Sequence, residues 1–118
     1  MEKRMVKQAI VGVILVFLLS SGQVIAQKAD CVKYNRDKAL KEIKNNSPKI
    51  VIVGGIVSAI RPGDEKFAIK YKVQFIDTGC VTEDNNCIAA YNKATFEYLD
   101  KKYGKKWRKY ARKDLLGL

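Results

Sequence analysis

The 118-residue sequence predicts a small α+β domain. A short sheet, with strands near residues 49–60 and 73–77, is covered by helices from both ends of the chain. Three observations point there. Lys49–Ile60 is rich in Val and Ile and apolar on both faces, as a central strand is. Asp30–Asn45 and Ile88–Tyr103 carry apolar residues at helical spacing among charges. The chain holds about one domain's worth of residues, and its first part reads as a leader rather than as part of that domain.

Met1–Gln8 carries Lys3, Arg4 and Lys7; Ala9–Leu19 is uncharged and apolar; small residues follow, with Val24-Ile25-Ala26 at the exit. A basic start, a short apolar core and a small-residue exit define a secretory signal peptide, with cleavage expected after Ala26. Residues 27–118 then form the single domain, in the periplasm or outside the cell. The alternative is a retained anchor helix, for which the apolar core is shorter than the ~20 residues of a membrane span.

In the mature region, Asp30 can cap a first helix in which Ala39, Leu40 and Ile43 keep helical spacing, and Asn45-Asn46-Ser47-Pro48 stops it. The strand from Lys49 follows, broken by Arg61–Glu65. Phe67–Asp77 admits three readings. As one strand, Phe67, Ile69, Tyr71, Val73 and Phe75 alternate with polar residues. As a helix, Pro62 sits in the first turn and Phe67 and Tyr71 share a face. In the mixed version a helix runs to Tyr71 and a strand from Val73 to Asp77. The local pattern favours the single strand. Ile88–Tyr103 is a helix with Phe96, Leu99 and Tyr103 on one face, ended by Gly104. Lys105–Lys113 is a further helical stretch, with Trp107 and Ala111 turned one way and Leu115 following.

The stretch Phe67-Ala-Ile-Lys-Tyr71, then Phe75-Ile-Asp and Gly79-Cys80, resembles the small exported bacterial proteins named for an F-E-K-K-Y motif. So does the ending Tyr91-Asn92, Tyr98-Leu99, Lys102-Tyr103-Gly104-Lys105 and Trp107, so the resemblance spans about residues 49–118. Ala68 and Ile69 depart from the motif's Glu and Lys, and Thr78 replaces an expected aromatic. The resemblance implies a helix through Phe67–Tyr71, hence the mixed version, and it implies no activity.

The three cysteines, Cys31, Cys80 and Cys87, all lie beyond the leader. Cys80 and Cys87 flank a polar loop seven residues apart, so the expected disulfide is Cys80–Cys87, with Cys31 free or paired between chains. Three reduced thiols are the plainer alternative. The net charge of +11 suits an anionic partner: a lipid headgroup, an acidic glycan or an acidic protein. Export makes nucleic acid a poor candidate.

Four patterns invite chemistry. Val53-Gly54-Gly55 followed by Ser58 fits one of the three glycines of a dinucleotide fingerprint, and β-branched Ile56 and Val57 follow where a helix must open. The simpler reading is a strand whose glycines make a bulge or admit a close neighbour. Phe75-Ile76-Asp77-Thr78-Gly79 has the form of an aspartic-protease turn, with Leu115-Leu116-Gly117 resembling its buttress. That makes a dimeric hydrolase centred on Asp77 the enzymatic alternative, against a plain strand end. The chain has no His, which removes the usual base for a cysteine nucleophile and a common zinc ligand, so no catalytic residue, cofactor or metal is assigned. Glu83-Asp84-Asn85-Asn86 lacks the order of a calcium loop.

Eight bases lie between Lys101 and Lys113, interleaved with Tyr103, Trp107 and Tyr110. The plain reading is a solvated face over a buried Trp107. The functional one makes Arg108, Lys109, Tyr110, Arg112 and Lys113 a surface for an anionic partner. The favoured reading is thus a non-catalytic exported binding module, with the Asp77 hydrolase and a membrane-anchored structural protein as alternatives.

Overall fold

The structure, a computed structural model, describes residues 30–80 and 83–118. The leader, its cleavage site and the anchor alternative lie outside the described residues. The α+β expectation holds: among the described residues, three α-helices surround a two-stranded parallel sheet.

Helix α1 spans Arg36–Lys44. Its cap is Asn35, whose side chain accepts from the Lys38 N–H at 2.8 Å, not Asp30. The helix therefore starts later than the sequence suggested, and Asp30–Asn35 is an irregular lead-in.

Strand β1 is Lys49–Ile52 and β2 is Gln74–Asp77, paired in parallel with Ile50 opposite Phe75. Parallel neighbours need a crossover. Helix α2, Pro62–Tyr71, provides it. Pro62 occupies the first turn, and the Asp64 carboxylate accepts the Arg61 N–H at 2.7 Å. Lys72 then ends the helix in the left-handed region at φ 52°. The mixed reading of residues 67–77 is the correct one, and the single strand favoured by local alternation is overturned. Phe67 and Tyr71 are buried one helical turn apart, whereas Ile69, which a strand would have placed beside them, is 71 % exposed. The strand expected over 49–60 also shortens. β2 ends at Asp77, so nothing pairs with the chain after Ile52, and Val53–Ile60 forms a loop.

Helix α3 spans Asn85–Tyr103, capped by Asp84, whose carboxylate accepts the Asn86 N–H at 2.7 Å, and ended by Gly104 at φ 71°. The expected helical stretch to Lys113 is cut to a short 3-10 helix, Lys105–Lys109. Trp107, Ala111 and Leu115 nevertheless all turn inward and are buried.

The core has two sides because β1 alternates. Ile50 and Ile52 face Phe67, Tyr71, Phe96, Leu99 and Trp107. Val51 faces Tyr34, Ala39, Ile88, Tyr91 and Ala94. One edge of β1 is paired with β2. The other edge meets side chains of α3. Buried Asn92 accepts the Val51 N–H at 2.8 Å and donates to the Val51 carbonyl at 2.9 Å, so its amide stands in for a third strand. The same amide donates to the Leu116 carbonyl at 3.0 Å, and Thr95 Oγ1 donates to the Lys49 carbonyl at 2.7 Å.

Replacing Asn92 by Leu keeps the volume but strands the Val51 N–H and C=O in the core. The expected loss is about 2–6 kcal/mol, from an unpaired-group cost of about 1–3 kcal/mol each. Thr95→Val removes one bond and should cost about 1 kcal/mol. Denaturant melts of both variants check this, and an Asn92→Leu loss no larger than that of Thr95→Val would contradict it.

Candidate functional site

The carboxyl ends of the two strands carry two of the patterns the sequence singled out, the double glycine Gly54-Gly55 and Asp77-Thr78-Gly79. Asp77 closes β2. One carboxylate oxygen accepts the Gly79 N–H at 2.8 Å and the other the Ala59 N–H at 2.7 Å. These donors, Gly79 first, hold its pKa below the ordinary aspartate value. The carboxylate lies against Gly54, where an added Cβ would come within 1.7 Å of Oδ1. Buried Thr78 accepts the Gly54 N–H on its hydroxyl at 3.0 Å. Gly54 therefore answers to a close neighbour, and that neighbour is an anion. A phosphate approaching this turn would meet a carboxylate already in place. For a shared-proton peptidase pair, Asp77 is poorly set, because both oxygens are bonded to N–H donors that favour the charged form.

Asp77 instead fixes the far end of the Val53–Ile60 loop, and Arg112 does so from the other side. The Arg112 side chain is only 7 % exposed. It donates to the Ala59 carbonyl at 2.8 Å, to Asp64 at 2.8 Å, and through two nitrogens to Asp114 at 2.7 and 2.6 Å. It thereby ties the loop, the start of α2 and the C-terminal tail together. The Asp114 carboxyl is pulled down to about 2 by this contact.

The expected anionic-partner face consequently divides. Arg112 is withdrawn from it as an internal tie. Arg108 is committed as well: it grips Asp100 with two bonds, at 3.1 and 2.8 Å, and lies over the Trp107 ring, while Trp107 Nε1 donates to the same carboxylate at 2.9 Å. Arg108 and then Trp107 hold the Asp100 pKa down. Lys109, Tyr110 and Lys113 stay exposed, Tyr110 at 69 %. Planar guanidinium forks suit carboxylates in fixed geometry, which is why the arginines were drawn inward and the lysines were not.

Two lysines absent from the sequence-based face join it. Lys66 and Lys70, one turn apart on α2, line a cleft of about 190 Å³ with Phe67, Tyr71 and Tyr110. Lys70 Nζ sits 4.9 Å from the centre of the Tyr110 ring. A second cleft of about 250 Å³ shares Gly63, Phe67 and Tyr110 with the first and continues to Arg61 at the loop's end. The i, i+4 lysine spacing was present in the sequence, but it means adjacency only on a helix, which the local pattern of that segment did not favour. The exposed loop tip was missed for a different reason: Ile56 and Val57 have the composition of a buried strand.

The disulfide is Cys31–Cys87, with Cα atoms 5.4 Å apart, and Cys80 is free and exposed. The expected Cys80–Cys87 link is therefore corrected. Cys87 is buried in the first turn of α3, on the side facing the chain ahead of α1. Glu83 fastens the same place, accepting the N–H groups of Lys33 and Tyr34 at 2.6 Å each, with its pKa lowered as a result, first by Lys33. Closing so long a loop restricts the unfolded chain by about 4 kcal/mol, against about 2 for the short loop. Among the described residues no three His, Cys, Asp or Glu side chains gather where a metal could sit, and no helix is long and apolar enough to cross a membrane.

No model of a known protein family matches the chain, and no significant match is found among curated proteins or solved structures.

Asp77, Asp100 and Asp114 all have lowered pKa values in the folded chain. Each therefore contributes stability that is complete above the unfolded value near ~3.9 and lost as pH falls through the folded value. Glu83 is lowered as well, from an unfolded value near ~4.3, so the thermal midpoint should stay level from pH 7 to about 5 and drop between about 5 and 2, and Asp114→Asn should shrink that acid limb. A drop already under way at pH 6 would contradict this, since the chain has no His to titrate there.

Proposed function

We propose that this chain is an exported, non-catalytic binding module that recognises an anionic partner through a lysine-rich face around Tyr110. The observation that carries the reading is the division of labour among its cations. Arg108 and Arg112 are spent on Asp100, Asp64 and Asp114. Lys66, Lys70, Lys109 and Lys113 form no ion pair among the described residues, and Lys66 and Lys70 border an aromatic cleft. Ammonium groups that no carboxylate holds, Lys113 bonded only to the Arg108 carbonyl at 2.8 Å, suit a partner that presents many negative charges in no fixed geometry, such as a headgroup layer or an acidic glycan. Export is supported by the leader-like start and by a disulfide, which persists in oxidising compartments.

The test is a fourfold exchange of Lys66, Lys70, Lys109 and Lys113 for Gln, which leaves every ion pair of the fold intact. Retention of the full chain on an acidic glycan resin and on anionic vesicles should weaken and lose much of its salt dependence, because the Debye length falls from ~10 Å at 0.1 M to ~3 Å at 1 M salt. Equal retention of wild type and variant on both supports would remove the proposal.

A further inference from the structure

The loop after β1 combines two properties that seldom occur together. Its tip is apolar and displayed: Ile56 is 96 % exposed and Val57 80 %. Its base is fixed. The Gly54 N–H is bonded to Thr78, the Ala59 N–H to Asp77, the Ala59 carbonyl to Arg112, the Ile60 N–H to Ser58 Oγ at 3.3 Å, and the Arg61 N–H to Asp64. A loop whose only task is to connect β1 to α2 needs neither an Ile-Val apex nor so many ties. Apolar side chains held out by a fixed base gain free energy only when something apolar receives them.

The surroundings of the loop define the receiver. Arg61 and Gly63, where the loop enters α2, border the same cleft as Tyr110, and its continuation is lined by Lys66 and Lys70. Asp64 and Asp114 are paired with Arg112, and the Asp77 carboxylate is turned onto backbone N–H groups, which leaves Glu65 as the exposed, unpaired acid of the stretch 53–72. An apolar apex, an amphipathic tyrosine behind it and cations at its base match the layers of a bilayer with anionic headgroups: acyl chain, interface and phosphate. The internal bonds of Ala59 and Ile60 reduce the penalty of carrying backbone polar groups toward lipid, and a shallow insertion leaves Gly55–Ser58 in reach of interfacial water.

We infer that the Val53–Ile60 loop is a membrane-docking loop, which seats Ile56 and Val57 at the headgroup–acyl boundary of an anionic bilayer while the Lys66/Lys70/Tyr110 surface contacts the headgroups. The inference rests on the anionic-partner reading and makes that partner a lipid surface.

The test uses the full chain, vesicles of neutral lipid with and without anionic lipid, and an acidic glycan resin. The double variant Ile56→Ser/Val57→Ser keeps every cation and every tie at the loop's base. It should partition onto anionic vesicles about tenfold more weakly than wild type, yet elute from the glycan resin at the same salt. Because the N-terminal apolar segment is common to both forms, the difference belongs to the loop. As a direct readout, Trp placed at Ile56 (Ile56→Trp) should shift its emission to the blue when anionic vesicles are added, against a constant background from buried Trp107. Equal vesicle binding by the Ser variant, or an unshifted Trp, would overturn the docking loop. Wild-type binding to the glycan but not to vesicles would also overturn it while leaving the anionic-partner reading in place. Binding to neither support would overturn both.

Discussion

A two-stranded parallel sheet has two exposed edges and little ability to stand alone. In this chain the edge of β1 away from β2 is completed by side chains of α3, Thr95 on the Lys49 carbonyl and Asn92 at the centre. Asn92 returns both a donor and an acceptor to Val51, deep between α3 and the sheet, and reaches the Leu116 carbonyl as well. The backbone geometry of β1 makes this possible, because the N–H and C=O of one residue point to the same side. Ile52 faces the partner strand, where its carbonyl accepts the Thr78 N–H, while Lys49 and Val51 turn to α3. Once α3 is fixed in that register, the Phe96–Leu99 side of the helix meets Ile50 and Ile52, and the Ile88–Tyr91 side meets Val51 and Tyr34. The two halves of the core share this one anchor point.

From that scaffold, charge is distributed by chemistry. Each arginine of the C-terminal segment takes a carboxylate with its fork and disappears into the structure: Arg108 onto Asp100 beside Trp107, Arg112 onto Asp64 and Asp114. The lysines remain outside. The segment that looks like one continuous basic helix is thus a short 3-10 turn plus a tail tied down by Arg112, and the exposed positive surface forms only when α2 brings Lys66 and Lys70 to Tyr110. The same Arg112 that leaves the surface also holds the loop in place, so the loss of a surface cation and the rigidity of the loop have one cause.

Much of the fold was legible in the sequence. Strand β1, the α3 stop at Gly104 and the inward face of Trp107, Ala111 and Leu115 follow from composition and spacing. The helix through Phe67–Tyr71 was not decided by local pattern, because its residues alternate as well as they spiral. The resemblance implied the helix, and the Pro62 start and the exposed Ile69 bear that out. Pairing of Cys87 with Cys31 rather than Cys80 depends on α3 lying along α1, a long-range fact with no local signature. The loop tip was hidden for the opposite reason. Ile56 and Val57 continue a strand-like run, and nothing in the run marks that β2 ends at Asp77 and leaves them unpaired.

Residue-resolved amide hydrogen exchange tests the central claim, that a side-chain amide serves as the missing strand and a stapled loop rises from the sheet it completes. The Val51 amide, bonded to a side chain alone, should exchange as slowly as the core of α3, through global unfolding, while Ala59 is protected and neighbouring Ile56 and Val57 exchange freely. A Val51 amide that exchanges far faster than the α3 core, or an Ala59 amide as fast as Ile56, would contradict the account.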